Sequence, residues 1–125
     1  MLKTILMVGS GGFLGSIARF LSTRYIQNIF LSSFPWGTFL VNISGCLFIG
    51  ILYGIFERST YISAEWRLFL TVGFCGGFTT FSSFASENIV LIRDGEFFYF
   101  LLYTSLSICL GFMATFFGNL LTKII

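Results

Sequence analysis

This chain consists of four long apolar stretches joined by short polar or charged links. No other feature of the sequence limits the possible folds as strongly. A helix of about 20 apolar residues rises roughly 30 Å, which matches the hydrocarbon core of a bilayer. Only 10% of the residues are charged, against about a quarter in soluble domains. The sequence therefore predicts one all-α transmembrane domain over residues 1–125, embedded in the lipid bilayer. Its four spans cover approximately residues 4–23, 36–56, 67–92 and 97–122.

Composition excludes several function classes. The chain contains no histidine, so the commonest general base and the commonest transition-metal ligand are both missing, and we do not expect an enzyme. The net charge is only +2 and the basic residues are scattered, so no nucleic-acid-binding patch is expected. Cys46, Cys75 and Cys109 lie in apolar sequence without CxxC spacing, which predicts free, buried thiols.

The distribution of basic residues leaves the membrane orientation open. Four spans place the two termini and the second loop on one side, with the basic residues Lys3, Arg58, Arg67 and Lys123. The other side carries Arg24 and Arg93, with Arg19 nearby. This is a weak positive-inside signal. One interpretation is insertion in both orientations followed by antiparallel pairing, and the other is a single fixed orientation.

The third span contains the run from Gly73 to Phe84, GFCGGFTTFSSF, which predicts a helix broken at mid-membrane. Adjacent glycines make unwinding easier, and a threonine side chain can cap a new helix. Irregular backbone at this depth must be buried in protein or line a wet cavity, so the break would mark a functional site. The alternative is a glycine-rich helix crossing whose threonines bond back to their own helix.

The two ends of such a break favour opposite charges. Unpaired carbonyls near Gly76 suit a small cation such as Na⁺, and free amides after Thr79 suit an anion. Phe81 and Phe84 lie three residues apart on one helix face. Electropositive ring edges and hydroxyl donors could together replace part of an anion's hydration shell. The neighbouring hydroxyls belong to Thr80, Ser82 and Ser83.

Other polar groups lie within the apolar spans. Asn42 must face protein or water, either as a link between helices or as a pore donor. Tyr103 and Ser107, four residues apart, form a weaker polar face on the fourth span. Arg19 and Glu87 have opposite signs and could pair. Glu87 could also reach Asn42 or the threonines, or extend to the membrane interface.

Three runs together resemble the Fluc (CrcB) family of bacterial fluoride channels. They are GGFLGSIARF from Gly11, GTFLVN from Gly37 and GGFTTFSSF from Gly76, in that order along nearly the whole chain. The run from Gly76 is the most specific of the three. Ser83 stands where the family commonly has threonine, and Phe20 where tyrosine is common.

The resemblance implies a passive fluoride-selective channel that exports toxic fluoride from the cytoplasm through the bacterial inner membrane. It implies an antiparallel, dual-topology homodimer with two pores, and a structural Na⁺ at the dimer interface on the carbonyls of Gly76 and Thr79. It also implies that fluoride passes the rings of Phe81 and Phe84. The polar groups along that path would be those of Asn42, Ser82 and Ser83, and less securely those of Tyr103 and Ser107.

Two other transporter classes make different predictions from the channel. A fluoride/proton exchanger needs a titrating carboxylate, so neutralising Glu87 would abolish its transport, whereas a channel would tolerate the change or lose only its assembly. A small dual-topology drug exporter needs a glutamate in the middle of its first span, and this chain has none there. A membrane subunit without transport activity would give no flux when purified alone.

Overall fold

The computed structural model describes residues 1–125 and is helical throughout, without strands. The helices are α1 (Leu2–Ile29), α2 (Trp36–Arg58), α3 (Ala64–Leu68), α4 (Gly76–Phe78), α5 (Phe81–Arg93) and α6 (Phe97–Ile124), with a π-helical segment (Phe69–Cys75) between α3 and α4. Four stretches are long and apolar enough to cross a membrane, and the third of these runs from Ala64 to Arg93. The first helix continues six residues beyond the predicted end of its span at residue 23.

The third stretch changes its backbone conformation several times. Ser63 caps α3 by accepting a hydrogen bond from the Trp66 amide at 3.4 Å. The π-helical segment then adds one residue to each hydrogen-bonded turn, a geometry that is rare and often found at functional positions. Thr79 and Thr80 have extended dihedrals, with φ/ψ of −85°/157° and −150°/120°. These two residues separate α4 from α5.

Glycines allow particular pairs of helices to approach closely. The most extensive contacts are those of α1 with the π-helical segment and of α2 with α6, and consecutive helices are also neighbours, as the short links predict: α1 contacts α2, and α5 contacts α6. A Cβ atom on Gly15 would overlap the carbonyl of Phe74, and one on Gly118 would overlap the carbonyl of Leu47. Backbones this close exclude any larger side chain. The glycine positions therefore determine the pairing more strongly than the loop lengths do.

We expect the Gly50→Ala substitution to destabilise the contact between α2 and α6. A Cβ atom there would overlap the backbone carbonyl of Thr115, which cannot move aside as a flexible side chain could. Overpacking of this kind costs about 1–3 kcal/mol. Thermal unfolding in detergent, followed by circular dichroism, measures the loss. Gly9→Ala is the matched control because its Cβ atom would meet nothing within 4 Å, and equal stability of the two variants would contradict the expectation.

The buried side chains form two small clusters, and the outer helix faces are apolar and exposed. The larger cluster contains Phe34, Phe39, Phe84, Leu91 and Tyr103. Phe34, which is 2% exposed, lies in the link between α1 and α2 and packs edge-on against Phe39 and Tyr103, with both ring centroids at 5.5 Å. This packing fixes the link against α6, next to the polar groups described below.

The three cysteines form no disulfide. Cys75 is buried and Cys46 is half-buried, but Cys109 is exposed on the outer face of α6. The prediction that all three thiols are buried is therefore wrong for Cys109. An apolar outer helix face accommodates a cysteine as readily as a protein core does, because lipid and core are both apolar.

Candidate functional site

Asn42 holds the interruption between α4 and α5 through two reciprocal hydrogen bonds. Its side-chain N–H donates to the Thr80 carbonyl at 3.0 Å, and its Oδ1 accepts from the Thr80 amide at 2.8 Å. Asn42 thus satisfies both backbone groups of an extended residue inside the helix bundle. A carboxamide can do this because it carries a donor and an acceptor side by side.

The carbonyls of residues 76–79 lose their usual helical donors at this interruption. The Thr80 amide would donate to the Gly76 carbonyl in a continuous helix, but it donates to Asn42 instead. The Ser83 amide would donate to the Thr79 carbonyl, but it donates to the Thr80 side-chain oxygen at 3.2 Å, which caps α5. The carbonyls of Gly76 and Thr79 are therefore released from the helical pattern.

Arg19 approaches the same interruption from α1. Its Nε donates to the Gly77 carbonyl at 2.9 Å, near the end of α4. A cation is favoured there because unpaired carbonyls give a helix C-terminus partial negative charge. Arg19 and Glu87 bind different partners, so the interpretation of these two charges as an ion pair is wrong. The carbonyls freed by the interruption provide a nearer partner for the guanidinium.

Glu87 is bound by two hydroxyl groups from neighbouring helices. The Thr38 hydroxyl of α2 donates to Oε2 at 2.8 Å, and the Tyr103 hydroxyl of α6 donates to Oε1 at 2.9 Å. Thr38 is 2% exposed and Tyr103 is fully buried. The two charge-assisted bonds hold the carboxylate inside the bundle and join three helices. Glu87 does not bond to Asn42 or to the threonines of the interruption.

The two rings predicted for the site lie side by side but differ in exposure. The centroids of Phe81 and Phe84 are 5.7 Å apart, and Phe84 lies 4.9 Å from the ring of Tyr103. Phe81 is 79% exposed and Phe84 is 9% exposed. The ring pair therefore begins at an open surface of the chain and leads inward to Tyr103.

Hydroxyl-bearing residues lie next to Phe81 and Phe84 at the start of α5 and beyond Tyr103 in α6. The oxygens of Thr80 and Ser82 lie 3.3 Å apart at the start of α5, and Ser83 follows on the half-buried side. Ser107 lies one helical turn beyond Tyr103 on α6, and its hydroxyl is buried without a hydrogen-bond partner. A buried hydroxyl without a partner is uncommon in folded proteins.

Most of the predicted site residues form one contiguous group, but the predicted set is incomplete. Thr38, which binds Glu87, was missed although it lies one turn before Asn42 on the same face of α2. The four-residue spacing of Thr38 and Asn42 was the signal that could have revealed it. Asn88 is also buried in α5 but bonds outside this group: its side-chain Oδ1 accepts from the Thr104 hydroxyl at 3.3 Å.

Comparison with known proteins identifies the family. Residues 6–119 match the family described as CrcB-like protein, Camphor Resistance (CrcB). A relative from Flavobacterium psychrophilum is 43% identical over 122 residues, covering 98% of each chain. Another from Chlorobium luteolum is 48% identical over 120 residues, covering 96% of this chain and 92% of its own.

A third relative, from Bacteroides fragilis, is 47% identical over 124 residues and covers 96% of both chains. All three relatives carry the name fluoride-specific ion channel FluC. The similarity extends across all four membrane-spanning stretches and includes the interruption between α4 and α5. This chain therefore belongs to the CrcB family.

Proposed function

We propose that this chain forms a passive, fluoride-selective channel that lets fluoride leave the bacterial cytoplasm. The single observation that carries the proposal is near full-length similarity to relatives named fluoride-specific ion channels. Four apolar helices make it a multi-pass membrane protein, and its family is one of transporters rather than enzymes. The similarity does not favour a fluoride/proton exchanger or a drug exporter.

The proposed fluoride path follows the ring pair. Fluoride passes the edges of Phe81 and Phe84, where aromatic hydrogens carry partial positive charge. Asn42 adds one donor, because its carboxamide has two N–H groups and gives only one of them to Thr80. Several weak contacts replace the water around the ion without trapping it, as conduction requires. The hydroxyls along this path are those of Thr80, Ser82, Ser83 and Ser107, and Tyr103 contributes its ring.

We assign a structural role to the charges beside the path. The Glu87 carboxylate accepts hydrogen bonds from the hydroxyls of Thr38 and Tyr103, which belong to α2 and α6. Its proposed role is therefore to link these helices to α5. Because the Tyr103 hydroxyl donates its hydrogen bond to Glu87, Tyr103 contributes its ring rather than its hydroxyl to the proposed path. Arg19 supports the interruption from α1 through Gly77.

The interruption is proposed to lie at mid-membrane and to hold a structural Na⁺. The carbonyls of Gly76 and Thr79, released from their helical donors, fit a hard cation that prefers oxygen ligands. When bound, Na⁺ would supply positive charge that holds the carbonyls together. Gly76 is exposed on this chain, so the same surface is open to the carbonyls of a second copy.

We propose that the assembly is an antiparallel homodimer of chains inserted in both orientations. Phe81 and Gly76 are exposed on the same part of the chain, where a partner could complete the path and the Na⁺ site. The weak asymmetry of basic residues is compatible with both orientations. A single bundle of four helices encloses little volume, so a second copy also provides walls for two pores.

Fluoride efflux from proteoliposomes tests the proposed function. Purified protein is reconstituted in vesicles loaded with potassium fluoride, and a fluoride electrode follows release after a potassium ionophore is added. We expect rapid fluoride release, no chloride release under the same gradient, and at least about tenfold slower release from the Phe81→Ile variant, which lacks the ring edge. Absence of fluoride release from the parent protein would overturn the proposal.

A further inference from the structure

A polar cavity opens at the end of the bundle where α1 meets α2 and α5 meets α6. Its volume is about 350 Å³, and only two of its nine lining residues are hydrophobic. Such a cavity suits water rather than lipid. Its polar lining consists of Thr23, Gln27, Ser33, Glu87, Asp94 and Glu96.

One face of α5 connects this cavity with the ring pair. Phe84, Glu87, Leu91 and Asp94 are spaced by three, four and three residues, so they follow one another along the same side of the helix. The last three of them line the cavity. Phe84 and Glu87 also contact the same residue, Tyr103. The ring pair, Glu87 and the cavity therefore follow one another in that order along one side of the helix.

The lining of the cavity is acidic, whereas a path for anions is expected to be lined by basic residues. Three of its lining residues are carboxylates, and none is lysine or arginine. Rings of carboxylates at pore mouths favour cations, whereas lysine and arginine favour anions. Glu87 is engaged by two hydroxyl donors, but Asp94 is exposed and Glu96 makes no capping bond to its helix. Glu96 is half-exposed, and Arg24 and Arg93, which are exposed at the same end of the bundle, do not line the cavity.

We propose, on the basis of the proposed function, that this cavity is one mouth of the fluoride path and that Asp94 and Glu96 limit conductance by repelling fluoride there. The two carboxylates lower the local concentration of fluoride at the mouth without contacting the ion. The repulsion acts through water and is therefore screened by salt. Its range shrinks from about 30 Å at 0.01 M ionic strength to about 3 Å at 1 M.

The test is fluoride efflux from vesicles at two ionic strengths, set on both sides with an impermeant salt. The Asp94→Asn/Glu96→Gln double variant keeps the side-chain shapes and removes two charges. We expect about threefold faster efflux than the parent at roughly 0.01 M ionic strength and equal rates at roughly 1 M. The Glu57→Gln/Glu65→Gln variant removes the same charge outside the cavity lining. Because an antiparallel partner brings this end to the same membrane face, we expect it to raise the low-salt rate by less than the double variant does and to leave the high-salt rate unchanged.

Three outcomes would overturn the inference while the parent protein conducts fluoride. They are unchanged efflux of the double variant at low ionic strength, an equal increase at both ionic strengths, and the same increase in the control variant. An Asp94→Lys/Glu96→Lys variant gives an independent measurement, since reversing the charge should accelerate efflux at low ionic strength beyond the neutral variant. A parent protein that releases no fluoride would instead defeat the proposed function itself.

Discussion

The Asn42→Ala variant is expected to lose about 99% of the fluoride efflux rate. The substitution leaves the amide and the carbonyl of Thr80 without their partners, and an unsatisfied buried group costs about 1–3 kcal/mol. The Thr80 amide then gains by returning to the Gly76 carbonyl, which would make the helix continuous. A shift of about 3 kcal/mol reduces the population of the interrupted form roughly a hundredfold.

Efflux is measured together with thermal stability in detergent, so that unfolding can be separated from loss of the interruption. Asn88→Ala is the matched control because Asn88 is buried in α5 but bonds to Thr104, away from Thr80. We expect Asn88→Ala to lower stability and to keep efflux within about threefold of the parent, because a single hydrogen bond contributes about 1 kcal/mol. An Asn42→Ala variant that conducts like the parent would refute the role given to Asn42.

The second large effect is expected for Phe84→Met. Methionine keeps most of the apolar volume beside Tyr103, so the bundle should remain folded. It lacks the electropositive ring edge; contacts between two aromatic rings, which use the same edge, are worth about 0.5–1.5 kcal/mol. Loss of one such contact, together with less rigid packing of the inner ring, should slow fluoride efflux roughly tenfold.

The control for Phe84→Met is Phe112→Met on α6, where the ring is 77% exposed on the outer face of the helix. We expect this second variant to conduct at the parent rate, because its ring lies away from the proposed path. The comparison uses initial efflux rates at equal protein density in the vesicles. Equal rates for the two variants would show that the inner ring does not contribute to conduction.

The amount and location of helix could be predicted from the sequence because a bilayer demands long apolar stretches. The four predicted spans lie within the four helical stretches that could cross a membrane. The pairing of α1 with the π-helical segment and of α2 with α6 was not predicted. Glycine spacing indicates that backbones approach closely, but it does not indicate which backbone each glycine faces.

The polar site was predicted in part. The run from Gly76 to Phe84 singles out Thr79 and Thr80, because threonines after two glycines can cap a helix. The partners of Arg19 and Glu87 were not predicted, since a charge in an apolar span must be satisfied but the sequence does not specify the group that satisfies it. The dimer, the two orientations, the Na⁺ and the depth of the interruption in the membrane remain predictions.

The most direct test of a passive, fluoride-selective pore is the reversal potential of the purified protein in a planar bilayer. A tenfold fluoride gradient is applied with equal chloride and equal pH on both sides. Our account predicts reversal at the fluoride equilibrium potential, about 59 mV, and no shift when a proton gradient is added. Reversal near zero, or a reversal potential that moves with the proton gradient, would contradict it.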